Sequence, residues 1–198
     1  MLAEPIDKIN GRTRPMTIAA RDTITAKLER QFELLDADKD GRVNAAEFAK
    51  IADRIIQAYG LDGDDRRARA LRAVNQMYWM ELVRHSGAES DALTKDRFVM
   101  ANRLAAIDTS RINVMEGLAH ASFDIIDANG DNEIDKDEFL RFQRDVWQVQ
   151  APEAMEVFGK VDIDGDGAIS RMEFVRTVRE YFMSMDPSAP GSMLFGRV

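Results

Sequence analysis

The sequence predicts an all-α protein in which four helix-loop-helix units form two packed, compact pairs. Three observations predict it. A twelve-residue loop with a fixed spacing of oxygen-bearing residues recurs along the chain. Apolar residues at helical spacing flank every copy. A degenerate fourth copy falls where a partner for the first is needed.

The first loop is Asp36-Ala37-Asp38-Lys39-Asp40-Gly41-Arg42-Val43-Asn44-Ala45-Ala46-Glu47. Its candidate ligands are Asp36, Asp38, Asp40, Asn44 and Glu47 through side chains, and Arg42 through its backbone carbonyl. Calcium is a hard cation that takes six to eight oxygens at about 2.3–2.6 Å, and this order of residues supplies them. Carboxylates at alternate positions converge only if the chain wraps. That wrap needs a positive φ, which Gly41 supplies at least steric cost. Glu47 is long enough to reach back from the next helix with both oxygens.

The second complete loop carries Asp127, Asn129, Asp131, Glu133 through its backbone, Asp135 and Glu138. Asn132 stands where the glycine belongs. Asn tolerates the left-handed conformation less well than Gly, so some loss of affinity is expected there, partly offset by the charge of Asp135 and the freedom of Gly130. The last complete loop carries Asp162, Asp164, Asp166, Ala168 through its backbone, Ser170 and Glu173, with Gly167 at the turn. Phe48, Phe139 and Phe174 each follow a closing glutamate, and Val43, Ile134 and Ile169 hold the position where paired loops form a short antiparallel bridge.

Three such units leave one unpaired. Sliding the pattern places Leu93 at the bridge and Phe98 after the loop, so the hidden copy runs from Ser86 to Arg97 as hand 2 in chain order, and the complete loops belong to hands 1, 3 and 4. Its ligand positions read Ser86, Ala88, Ser90, Thr94 and Arg97, and Asp91 replaces the glycine. Without charge or turn it reads as a scaffold loop that holds no calcium.

Apolar pairs precede the complete loops as Phe32 and Leu35, Phe123 and Ile126, and Phe158 and Val161, whereas the silent one has Leu82 and His85. The following helices continue with Ile51 and Ile55, Phe142 and Val146, and Val175 and Val178. Gly60-Leu61-Asp62-Gly63 separates the first two units, Pro152 suits the first turn of a helix, and Asp108-Thr109-Ser110 offers capping side chains between the halves. The short central connection favours halves packed on each other. The expected division is a flexible leader at 1–17, a first pair at 18–106, a second at 107–185, and a tail at 186–198 that packs on the domain.

Composition narrows the partners. With 198 residues, 45% hydrophobic and 31% charged, the chain reads as soluble and globular. A net charge of −8 argues against nucleic acid and anionic membranes, and three divalent ions would cancel most of it. No apolar run is long enough for a membrane helix, Met1 to Pro15 has no signal-peptide core, and Leu2 stands where N-myristoylation needs glycine. Met16 is an alternative start. The absence of cysteine excludes disulfides and thiolate metal sites and fits a cytoplasmic location. His85 and His120 are the only histidines, too few for a zinc centre, and no nucleophile turn is present. The basic run Arg66-Arg67-Ala68-Arg69 reads as a solvated helix face balanced by Asp62, Asp64 and Asp65. Met77 and Met80, beside Tyr78 and Trp79, are expected to pack between the halves; the other reading is a binding surface exposed by calcium.

The loops identify EF-hands, and four hands with a degenerate second resemble the sarcoplasmic calcium-binding proteins, most closely their calerythrin-type bacterial relatives. The tail Asp186-Pro187-Ser188-Ala189-Pro190-Gly191-Ser192-Met193-Leu194-Phe195-Gly196 is similar to the segment that folds back in that family. The resemblance implies a compact cytosolic buffer or transporter of calcium that is not an enzyme. Calcium at three sites is the expected cofactor, with magnesium as competitor, in a monomer that requires no protein target. The alternative is a sensor that exposes an apolar groove to a target helix. A photoprotein-like oxygenase is a third reading, weakened by two His, two Trp and three Tyr and by the Arg197-Val198 ending. The pairing predicts that hand 1 binds alone on an inert scaffold while hands 3 and 4 bind as a linked pair.

Overall fold

A computed structural model describes residues 22–88, 90–108 and 114–196. Its elements are α1 (Thr23–Leu35), β1 (Arg42–Val43), α2 (Ala45–Ala58), α3 (Arg66–Ser86), β2 (Leu93–Thr94), α4 (Lys95–Ile107), α5 (Val114–Ile126), β3 (Glu133–Ile134), α6 (Lys136–Trp147), α7 (Ala151–Val161), β4 (Ile169–Ser170), α8 (Arg171–Met183) and α9 (Pro190–Met193). The leader, Thr109 and Ser110 lie outside the described residues.

Each loop ends in a two-residue strand, and the strands pair within each half. β1 and β2 run antiparallel with Val43 opposite Leu93, and β3 and β4 with Ile134 opposite Ile169. All four bridge side chains are fully buried. The degenerate loop therefore keeps the packing half of its pattern, because a bridge needs only apolar side chains and backbone hydrogen bonds.

The phenylalanines at the two ends of each hand meet those of its partner. Phe32 and Phe98 pack edge to face at 5.7 Å, Phe123 and Phe174 at 6.0 Å, and Phe139 and Phe158 at 5.7 Å. The silent hand has Leu82 in the matching place, so Phe48 turns to Tyr78 and Trp79, at 5.3 and 5.2 Å. Tyr78 carries the contact into the other half, 6.1 Å from Phe182.

α3 corrects the expectation for the methionines. Leu71, Asn75, Tyr78, Trp79 and Leu82 occupy its buried face, which turns Met77 and Met80 outward at 38% and 61% exposure. Neighbouring positions on a helix diverge by about 100°, so four consecutive large residues cannot share one face. α3 instead meets α5, where a Cβ on Gly117 would lie 3.4 Å from Val74. A second contact between halves joins α2 to α6, where Arg141 donates to the Ala58 carbonyl at 3.1 and 2.6 Å and stacks 4.6 Å over Tyr59, and α1 and α4 also meet α8.

The segment after α8 lies against α7 and α8. Met193 and Leu194 are buried, and Phe195 stacks 4.1 Å from Trp147 and 4.6 Å from Tyr181. Gln143 donates to the Leu194 carbonyl at 2.8 Å. The buried Lys27 ammonium donates to the carbonyl oxygens of Ser184 at 3.0 Å and Glu180 at 3.3 Å and to the Ser192 hydroxyl at 3.2 Å. It closes the C-terminal end of α8, where a cation suits the helix dipole.

Candidate metal centres

Each complete loop folds by the same internal hydrogen bonds. In the first, the Gly41 amide donates to Asp36 Oδ2 at 3.1 Å, Asp40 to Asp38 Oδ1 at 3.1 Å, and Arg42 to Asp40 Oδ1 at 2.8 Å. In hand 3, Asn132 donates to Asp127 Oδ2 at 3.0 Å, Asp131 to Asn129 Oδ1 at 2.8 Å, and Glu133 to Asp131 Oδ1 at 2.9 Å. Hand 4 repeats the set with Gly167 to Asp162, Asp166 to Asp164, and Ala168 to Asp166. These bonds fold each loop onto its first aspartate: Asp127 accepts the amides of Gly130 and Asn132 on its two oxygens, and Asp162 those of Gly165 and Gly167, whereas Asp36 takes the Gly41 amide on Oδ2.

The turn is left-handed in all three, with φ of 81° at Gly41, 69° at Asn132 and 95° at Gly167. Lys39 also has a positive φ, of 62°, where the other loops place Gly130 and Gly165.

The closing glutamates have a second role that sequence reasoning missed. Asn44, Asp135 and Ser170 cap α2, α6 and α8, and Glu47, Glu138 and Glu173 complete a capping box with each. The signal was legible: a capping residue followed three places later by Glu. The same glutamates reach back across the loop, accepting from the amides of Ala37 at 3.0 Å, Ala128 at 2.8 Å and Ile163 at 2.8 Å. In the silent hand Thr94 makes no side-chain cap to α4, and Arg97 is exposed. Ser86 there bonds the Val83 carbonyl at 2.8 Å, and Ser90 bonds that of Ala92 at 3.1 Å.

The donor set fits a hard cation. Carboxylate oxygens of Asp36, Asp38 and Asp40 lie within 4.8 Å of one another, as do those of Asp162, Asp164 and Glu173. Asp36 is buried, and its Oδ1 has no hydrogen-bond partner. A buried carboxylate oxygen without a partner is costly unless a cation meets it. Glu173 is pushed up by burial, but the Ser170 hydroxyl and the amides of Ser170, Ile163 and Asp164 outweigh that and hold its carboxyl below the usual range.

A further group combines Glu81, His85 and Asp108, also within 4.8 Å. Here the protein supplies its own cation: Arg84 NH2 lies 2.6 Å from both carboxylates. The basic run at the start of α3 is largely solvated, with Arg67 paired to the Asp65 cap at 3.3 Å.

The chain matches the EF-hand domain pair family over residues 115–179 and the EF hand family over residues 28–52. It is 26% identical to calerythrin from Saccharopolyspora erythraea over 138 residues, covering 68% of this chain and 77% of calerythrin. Its fold is similar to calcium-loaded apo-aequorin from Aequorea victoria, with a TM-score of 0.72, 19% identity, and 84% and 94% of the two chains covered. A calcium-binding protein of Streptomyces coelicolor superposes with a TM-score of 0.65 at 21% identity, over 80% of this chain and 97% of that one. No described helix is long and apolar enough to cross a membrane. The chain is similar to EF-hand calcium-binding proteins, calerythrin among them, and it shares its fold with calcium-loaded apo-aequorin.

Proposed function

We propose that the chain is a cytosolic calcium buffer or transporter with three sites. Asp36, Asp38, Asp40, Arg42, Asn44 and Glu47 form the first. Asp127, Asn129, Asp131, Glu133, Asp135 and Glu138 form the second, and Asp162, Asp164, Asp166, Ala168, Ser170 and Glu173 the third. The observation that carries this reading is the buried, unpartnered Asp36 Oδ1 inside a ring of carboxylates. Hand 1 binds alone beside its silent partner, and hands 3 and 4 bind as a pair. Magnesium competes, because the ligands are all oxygens and flexible loops tolerate both ions.

Buffering is supported by the closure of the apolar faces. Most apolar faces of the helices are covered by the opposite half and by Met193, Leu194 and Phe195. The central cavity, between Gln31, Tyr78, Trp147 and Phe182, holds about 40 Å³, room for one or two waters and not a luciferin. This supports a binding protein and not an oxygenase.

Calorimetric titration of Glu47→Gln, Glu138→Gln and Glu173→Gln tests the sites. Gln preserves each capping box and removes the bidentate ligand, so each variant should lose one ion of three. Unchanged stoichiometry in Glu138→Gln would strike hand 3 from the count. Calcium should raise the melting temperature strongly, since one site at a hundred times its dissociation constant adds about 2.7 kcal/mol.

The sensor reading is favoured by one feature, an open groove of about 990 Å³ between α5 and α8 lined by Ile163, Met172, Val175 and Met183. A hydrophobic dye decides between the two. Dimming on calcium addition supports the buffer, and brightening supports the sensor.

A further inference from the structure

Arg171, the first residue of α8, reaches out of hand 4 into hand 3. Its NH1 pairs with Asp124 Oδ1 at 2.7 Å, and its guanidinium lies 4.1 Å over the ring of Phe123. Its Nε and NH2 donate to Asn132 Oδ1 at 3.1 and 3.0 Å. Asn132 is the residue that replaces glycine at the left-handed corner of loop 3.

The other half repeats two of these three contacts. Lys95, the first residue of α4 in the silent hand, pairs with Glu33 at 2.9 Å and lies 5.8 Å over Phe32. Phe32 and Phe123 both stand four residues before their loops, Glu33 and Asp124 three before, and Lys95 and Arg171 both hold loop position 10. The halves differ at the corner. Gly41 offers the cation no side chain, whereas Asn132 does. The half that has the extra contact is the half with two complete loops.

We infer that Asn132 and Arg171 are a positioning pair that couples the ion sites of hands 3 and 4, and that Asn132 replaces glycine in order to make this contact. The inference rests on the reading of both loops as calcium sites. Asn132 holds Asp127 Oδ2 through its own amide at 3.0 Å, so its side chain and a ligand of hand 3 share one corner. Arg171 lies two residues before Glu173 on the first turn of α8. Any shift of that turn as Glu173 changes partners is passed through the guanidinium to Asn132 and on to Asp127. The bridge of Ile134 and Ile169 joins the same two loops through apolar side chains and backbone pairing, which offer a carboxylate no charged partner. A guanidinium suits the task because its planar fork holds a ring face, a carboxylate and an amide oxygen at once, whereas an ammonium is a point charge.

The test is calorimetric calcium titration of the full chain, resolved into stepwise constants, for wild type, Asn132→Gly, Arg171→Gln, Arg171→Lys and the double variant Asn132→Gly/Arg171→Gln. Wild type should bind at hands 3 and 4 with positive cooperativity. Asn132→Gly and Arg171→Gln should each lower the ratio of the second to the first stepwise constant by about threefold to tenfold, and the double variant no further. Arg171→Lys, which keeps the ion pair and loses the fork, should behave like Asn132→Gly. Glycine is better suited than Asn to a positive φ, so the apo melting temperature of Asn132→Gly should hold or rise, which separates lost coupling from a damaged fold. Wild-type coupling in Asn132→Gly, with all ions bound, would overturn the pair and leave the calcium reading intact. A wild-type chain that takes up no calcium in these loops would overturn both.

Discussion

Tyr59 donates its hydroxyl to the backbone carbonyl of Glu138 at 3.0 Å. The residue that ends the second helix of hand 1 thus grips the residue that closes loop 3. Arg141 stacks over the ring and holds the neighbouring Ala58 carbonyl, which makes a small cross-half cluster behind the closing glutamate. Tyr59→Phe removes the hydrogen bond and keeps the ring. It should cost about 1 kcal/mol in urea unfolding and weaken calcium binding at hand 3 more than at hand 1.

Leu93 supports hand 1 although it belongs to the degenerate loop. It is fully buried opposite Val43. Leu93→Ala should destabilise by about 2–5 kcal/mol and weaken the site built on Asp36 and Glu47, read by urea unfolding and calcium titration. Arg97→Gln in the same loop, at an exposed position, should shift stability by less than about 0.5 kcal/mol.

Gly191 is where the last helix crosses α8. A Cβ there would lie 2.5 Å from the Thr177 carbonyl oxygen and 2.6 Å from the Tyr181 nitrogen. Gly191→Ala should lift α9 away and cost about 1–3 kcal/mol. Because Phe195 stacks on Trp147, the emission of Trp147 should change with it.

Lys27 makes stability depend on pH in the alkaline range. Burial lowers its pKa from 10.5 to about 8, against the opposing pull of the Glu180 and Asp22 charges. The unfolded chain keeps that proton to higher pH, so between these values it binds more protons than the folded chain. The burial cost is present in full at neutral pH and is relieved as pH rises through about 8 toward 10.5. The urea midpoint should therefore climb across that window. Lys27→Met should flatten the climb.

Much of this protein was legible because its chemistry is local. Asp36, Asp38, Asp40 and Glu47 fall within twelve residues, so their convergence depends on one turn and on the length of one side chain. The apolar spacing around Phe32, Phe98, Phe123 and Phe174 reports helix faces directly, and Leu93 betrays the silent hand because bridge packing outlives the loss of ligands. Met77 and Met80 misled, since spacing names the residues that share a face but not which face turns inward. That choice was made by Tyr78, Trp79 and the approach of α5.

The sequence by itself determined the helices, the loops and their pairing, because each depends on neighbours in the chain or on a repeat. Only the tertiary structure decided how the hands are tied together. Tyr59 to Glu138, Lys27 to Ser184 and Ser192, and Arg171 to Asn132 span long or irregular separations, and no periodicity marks them. A directional bond between distant groups depends on where two packed helices bring them, and that position is set by the whole core.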